Sequence, residues 1–187
     1  MTAPAAVSEV EKIEAKIQIK LPESFRRVIT GHAASVRMFW HLQRKIELPR
    51  PLRGIFCGNC EWDLSLIPEW ETQRKNWITS CFPNPQKPGD KIWHDKLAFH
   101  GMDIGDMLAF DLSQDSFPVV YLSHDLDESH GYVLGKNFED FMDKWTQLGC
   151  PGAEDWQMLP FTHDPLSGLD PDCENARLWK KLFGLTA

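Results

Sequence analysis

Lysine and arginine are absent from Leu97 to Gly135, although the chain of 187 residues holds 20 of them. The same stretch contains Asp103, Asp106, Asp111, Asp115, Asp125, Asp127 and Glu128. These residues carry the whole net charge of −7, because the rest of the chain balances 20 acids against 20 bases. An acidic face of this kind repels nucleic acid and anionic membrane and attracts basic protein surfaces. Solvated acidic turns in an acidic cytosolic protein would give the same composition.

Other absences narrow the class. No apolar run approaches the ~20 residues of a membrane span. Met1 to Glu11 lacks the basic start and apolar run of a secretory signal, so a cytoplasmic protein is expected. Cysteine is scarce and odd in number: Cys57, Cys60, Cys81, Cys150 and Cys173. That count argues against a disulfide framework. Cys57-Gly58-Asn59-Cys60 has zinc-knuckle spacing, yet no second Cys or His pair follows. A four-ligand site would have to recruit scattered residues such as Cys81. A thioredoxin-like pair belongs at a strand-to-helix junction, whereas Gly58-Asn59 reads as a turn. Ordinary reduced thiols are the plainer reading.

No Gly-x-Ser-x-Gly elbow and no glycine-rich phosphate loop is present. Ser123-His124-Asp125 has the residue types of a catalytic triad, but neighbours on a strand face opposite ways. His100, Asp103, His124, Asp125 and His130 are the candidate ligands for a divalent cation, with no ordering motif; solvated strand ends account for them as well. The one basic cluster, Arg37, Arg44, Lys45, Arg50 and Arg53, is modest and reads as a solvated loop. The chain is therefore expected to bind no nucleic acid, to need no cofactor or metal and to have no catalytic residue. The rival is an enzyme using the His/Asp set with a metal, or Cys57 or Cys60 as a thiol.

What is present is core-forming material: 42% hydrophobic residues, with 8 Trp and 11 Phe. That suffices for one domain. Met1 to Val7 is Ala/Pro-rich and expected to be disordered. Ser8 and Glu11 have capping-box spacing before Val10, Ile13 and Ile17 at helical intervals. A second helix starts near Leu21-Pro22-Glu23, buries Phe25, Val28 and Ile29, and stops at Thr30-Gly31. From Val36 the pattern alternates, as in a strand: Val36, Met38, Trp40 and Leu42 on one face, Arg37, Phe39, His41 and Gln43 on the other. Ile67-Pro68-Glu69 opens a helix through Trp77. Pro83, Pro85, Pro88 and Gly89 mark a loop. Four apolar runs follow, at 97–99, 107–110, 118–122 and 131–134, separated by turns too short for crossovers, so the pairing is antiparallel. Asn137 caps a helix whose core face is Phe138, Phe141, Met142 and Trp145. A last helix, Asp172 to Phe183, presents Leu178, Trp179, Leu182 and Phe183 to the domain. Trp62, Trp70, Trp77 and Trp93 include candidate exposed anchors for a partner.

Ile19-Lys20-Leu21-Pro22-Glu23-Ser24-Phe25, with its helix ending at Gly31, is one motif. Gly105-Asp106-Met107-Leu108-Ala109-Phe110-Asp111, then Pro118 to Asp125, then Asn137-Phe138-Glu139-Asp140-Phe141, is another. In this order and spacing they resemble the SUKH superfamily, the Smi/Knr-type proteins, over about half of the chain. The family commonly has Asn-Gly where this chain has Thr30-Gly31. The resemblance implies an α+β fold with an antiparallel or mixed sheet flanked by helices. It places a domain at 8–149 and leaves 150–187 as an extension with one packed helix. It also implies a binding function: bacterial members are similar to immunity proteins that neutralise toxins, often nucleases, and fungal relatives act as scaffolds in cell-wall signalling.

The expected site is therefore an acidic face of Asp103, Asp106, Asp115, Asp125, Asp127 and Glu128, meeting a basic toxin effector domain. Asp111 is a weaker member, because its strand position can bury it. The alternative is a scaffold that holds a peptide or signalling partner through exposed aromatics. Oligomeric state is not legible.

Overall fold

The computed structural model describes residues 1–102, 104–126, 128–152 and 154–185. Its helices are α1 (Val7–Ile17), α2 (Glu23–Gly31), α3 (Ile67–Ser80), α4 (Pro88–Trp93), α5 (Phe138–Gln147), α6 (Asp155–Met158) and α7 (Glu174–Phe183). Strands β1 (Ser35–His41) and β2 (Cys57–Asp63) form an antiparallel hairpin. Strands β3 (Lys96–Gly101), β4 (Met107–Asp111), β5 (Val119–Leu122) and β6 (Val133–Gly135) form an antiparallel meander in chain order. The architecture is α+β, as the short turns between apolar runs require.

The two motifs that carry the resemblance touch each other. Phe25 of α2 meets Phe138 of α5 edge to face, with ring centroids 4.8 Å apart. Phe99 and Phe110 stack beneath them at 4.6 Å. All four rings are buried, and Trp62 closes the group against Phe138 at 5.5 Å. Polar contacts repeat the junction. Ser24 Oγ accepts the Phe138 N–H at 3.3 Å, and Arg27 grips Glu139 with two hydrogen bonds of 2.8 and 2.6 Å.

Buried carboxylates tie the remaining elements. Glu14 of α1 accepts from Lys20 Nζ at 2.6 Å, from the Leu21 N–H at 3.0 Å and from Arg26. Burial pushes its carboxyl up, but these donors outweigh it and hold Glu14 below the usual range. Glu71 and Arg74 pair within α3, and Arg74 also donates to the Trp93 carbonyl of α4. Across β3 and β4, Lys96 meets Asp111 at 3.0 Å.

Several local expectations change. Helix α1 starts at Val7, and Glu9 rather than Glu11 reaches back, to the Ala6 N–H at 2.8 Å. Residues 2–5, where fraying was expected, bond to the body: Thr2 N–H to the Ser35 carbonyl, Ala5 N–H to Ile29, and the Ala3 carbonyl to Ala34 N–H. Pro88 opens a short helix instead of extending the loop, because proline fits a first helical turn. Gly58-Asn59 is strand, not turn. Gly58 faces Trp40 across the hairpin, and a Cβ there would lie 2.2 Å from the indole and 2.4 Å from the Cys150 carbonyl. In α7, Trp179 and Ala176 are buried, whereas Leu182 is exposed.

The segment after Gly149 is woven into both sheets. Gly152 N–H donates to the Cys57 carbonyl at 2.9 Å, beside β2. Val133 N–H donates to the Pro165 carbonyl, and Leu169 N–H to the Leu134 carbonyl, closing the free edge of β6. The indoles of Trp40, Trp145 and Trp179 each donate to a carbonyl between Leu148 and Pro151.

Truncating Phe25 to Ala empties the centre of the ring cluster and is expected to cost about 3–5 kcal/mol, read from urea unfolding. Glu14 and Asp111 both have lowered folded pKa values. Their contribution is complete above the unfolded carboxylate pKa, near ~4, and is lost as pH falls through the lower folded values. The urea midpoint should therefore drop on acidification, and Glu14→Gln should lower it at neutral pH while flattening its acid limb.

Candidate functional site

The meander decides which acids can share a surface. Strands β3 and β5 run one way and β4 and β6 the other, so the β3–β4 turn (102–106) and the β5–β6 loop (123–132) lie at one end. Asp106, Asp125 and Glu128 belong to that end. Asp111 and Asp115 belong to the opposite end, at the β4–β5 turn. Asp103 and Asp127 lie outside the described residues. The expected single face therefore does not include Asp115, because sequence spacing orders the turns without saying which end of the sheet each occupies.

Asp106 is buried rather than presented, with 2% of its surface exposed. One carboxylate oxygen accepts from the Tyr121 hydroxyl at 2.6 Å. The other accepts from the His124 N–H at 2.8 Å and from His124 Nδ1 at 2.7 Å. Asp106 thereby locks the β3–β4 turn to the start of the β5–β6 loop. Gly105 makes the turn possible at φ +102°, where a side chain would also crowd Trp77. His130 secures the far side of the loop. Its Nδ1 accepts the Ser123 N–H at 3.0 Å, so Nε2 carries the proton and donates to the Gly89 carbonyl at 3.1 Å. Burial holds His130 below the usual histidine range, against the opposing pull of Gly89 and Asp106.

Asp111 is likewise structural. It accepts from the Ser113 N–H and Oγ, from Gln114 and from Lys96. Burial pushes its carboxyl up, and Ser113 and Lys96 more than offset this.

On the locked loop Asp125 and Glu128 are exposed, and the Asp125 carboxylate lies 3.3 Å from His124 Nε2. Apolar side chains accompany them: Leu126 is 47% exposed and Ile104, in the neighbouring turn, 42%. A groove of about 490 Å³ runs from that turn toward β1 and β2, between Ile104, Met102, His100, Phe39 and Glu61. Sequence reading missed these apolar members. An isoleucine inside a Gly/Asp turn was the available signal. The tryptophans expected as anchors are not exposed: Trp62, Trp70 and Trp93 are buried and Trp77 is partly buried, while Trp156 is the exposed one.

Among the described residues no three His, Cys, Asp or Glu side chains gather as a metal-holding group. His124 has both ring nitrogens directed at Asp106 and Asp125. Three residues apart on one strand, Cys57 and Cys60 face opposite sides. Cys57 Sγ lies 3.5 Å from the Gln157 amide nitrogen. Cys60 meets Cys150, whose thiol is pushed up by that hydrogen bond and by burial. Cys81 is exposed and apart from them at the end of α3. No helix among the described residues is long and apolar enough to cross a membrane.

The α+β frame and its motifs match a known class. The profile of the SMI1 / KNR4 family (SUKH-1) matches residues 4–144, and the chain belongs to that family. No curated protein and no solved structure matches it. The family match ends within α5, so the woven-in segment that follows lies outside it.

Burial separates the roles of the acids. Asp106→Asn leaves the shape but removes the charge that Tyr121 and His124 surround, and is expected to cost about 1–3 kcal/mol in urea unfolding. Asp125→Asn and Glu128→Gln, on exposed loop positions, should stay within about 0.5 kcal/mol of the parent.

Proposed function

We propose that the chain is a non-enzymatic, cytoplasmic protein-binding domain that neutralises a basic toxin effector domain, of nuclease type, through the acidic end of its meander. Asp125 and Glu128 supply the described charge, and Asp103 and Asp127 belong to the same reading by sequence. Asp106 and His130 act as positioning residues.

The observation that carries the proposal is a charged loop tied down at its base. Asp106 and His130 anchor its two sides, and Asp125 and Glu128 are exposed on it before a partner arrives. Preorganisation of this kind reduces the entropic cost of association. A nuclease presents cationic residues to phosphate, and a fixed row of carboxylates is complementary to them. The family resemblance supports an immunity role at the level of class.

A second reading has one observation in its favour. Phe39 and Ile104 expose apolar surface along the groove that runs from the acidic end. A scaffold holding a peptide would use that surface, and its binding would survive high salt.

The partner is to be captured from native-host lysate on the immobilised chain and its association measured with salt. Under the immunity reading, the double variant Asp125→Lys, Glu128→Lys slows association by about tenfold or more and flattens its dependence between roughly 50 and 500 mM salt. Dissociation changes less. An association rate indifferent to salt in the parent chain would transfer the function to the apolar groove.

A further inference from the structure

The loop between β1 and β2 encloses a second feature, opposite to the acidic end in the sign of most of its charge. It is an open cleft of about 870 Å³ whose floor is formed by Leu48 and Ile55 and whose rim includes Ile46 and Phe56. Leu48 and Ile55 are buried, whereas Ile46 and Phe56 leave 41% and 47% of their surface to solvent. Arg44 and Arg53 also line it, with one acid, Glu47, between them in sequence.

The arginines of this loop differ from most of those elsewhere in the chain. Arg26, Arg27, Arg37 and Arg74 each hold a carboxylate. Arg44, Lys45, Arg50 and Arg53 form no ion pair among the described residues, and the sole acid between residues 42 and 56 is Glu47, also without an ion pair. The side of the cleft next to the strands is tied to the body of the protein. Leu42 N–H bonds the Phe56 carbonyl at 2.8 Å, and the Gln157 side-chain oxygen accepts the N–H groups of Phe56 and Cys57, each at 3.2 Å. The Trp156 ring lies against Gly54 on the outer side.

Unpaired guanidinium groups beside an apolar, half-open floor define their ligand: carboxylates spaced along a chain that also carries apolar side chains. We propose that this cleft is a docking site for an extended acidic segment of a partner polypeptide, with an apolar side chain seated between Ile46 and Phe56 and flanking carboxylates on Arg44 and Arg53. Nucleic acid fits less well, since it asks for a continuous basic track with stacking rings, whereas Glu47 interrupts this track and the net charge is −7. The site is independent of the acidic end and shares none of its residues.

The probe is a fluorescein-labelled peptide alternating glutamate with leucine and phenylalanine, titrated with the intact chain by anisotropy at about 0.1 M salt. Amide shift mapping of the ¹⁵N-labelled chain locates it. The expected result is saturable binding with shifts at Ile46 and Phe56. Affinity should fall by about tenfold or more in Arg44→Glu, Arg53→Glu, fall also in Phe56→Ser, and be unchanged in Asp125→Lys, Glu128→Lys. These side chains are exposed, so the variants are expected to fold, and parental urea midpoints check it. Equal binding of the same peptide with glutamine for glutamate, or shifts away from the cleft, overturns the proposal. So does tighter binding of a single-stranded oligonucleotide at the same residues. Self-association in sedimentation that is abolished by Arg44→Glu, Arg53→Glu would assign the cleft to a second copy and likewise overturn it.

Discussion

Phe25, Phe99, Phe110 and Phe138 come from α2, β3, β4 and α5, and their ring centroids lie 4.6 to 6.0 Å apart. Edge-to-face and stacked contacts add about 0.5–1.5 kcal/mol per pair beyond simple burial, and they restrict how the rings can be turned. The sheet's orientation to the helices follows from that restriction. So does the direction in which its two ends point. The Arg27–Glu139 clasp and the Ser24–Phe138 bond lie on the same seam, so polar and apolar terms select one arrangement.

Much of this frame was legible in the chain. The helix around Phe25, the four runs of the meander and the Asn137 cap follow from periodicity and capping alone, because each depends on neighbours a few residues away. The hairpin glycine was misread for a physical reason: Gly58 is there for the Trp40 ring lying across it, a long-range contact without a local signature. Pro88 was ambiguous for a local reason, since proline both marks loops and opens helices.

The candidate site was legible as composition and illegible as geometry. Acid spacing marked the turns, yet it could not assign Asp115 to the far end of the sheet or see that Asp106 is consumed by Tyr121 and His124. The exposed apolar residues Ile104 and Leu126 were hidden by their acidic surroundings. The result is a division of labour within one acidic run: some carboxylates hold the loop and others face outward from it. The unpaired arginines of the β1–β2 loop give the molecule a second pole of opposite sign, built from different elements.

The segment following Gly149 has a consequence for how the chain reaches its native state. It covers the open edges of β2 and β6 through Gly152, Pro165 and Leu169. During synthesis, the meander and hairpin emerge before any of those residues exist. For that interval the strand borders stand uncovered, with backbone groups available to any passing chain. A nascent chain halted at the end of α5 would thus carry the completed aromatic centre together with adhesive margins, and the two dozen or so residues that follow close that window of vulnerability.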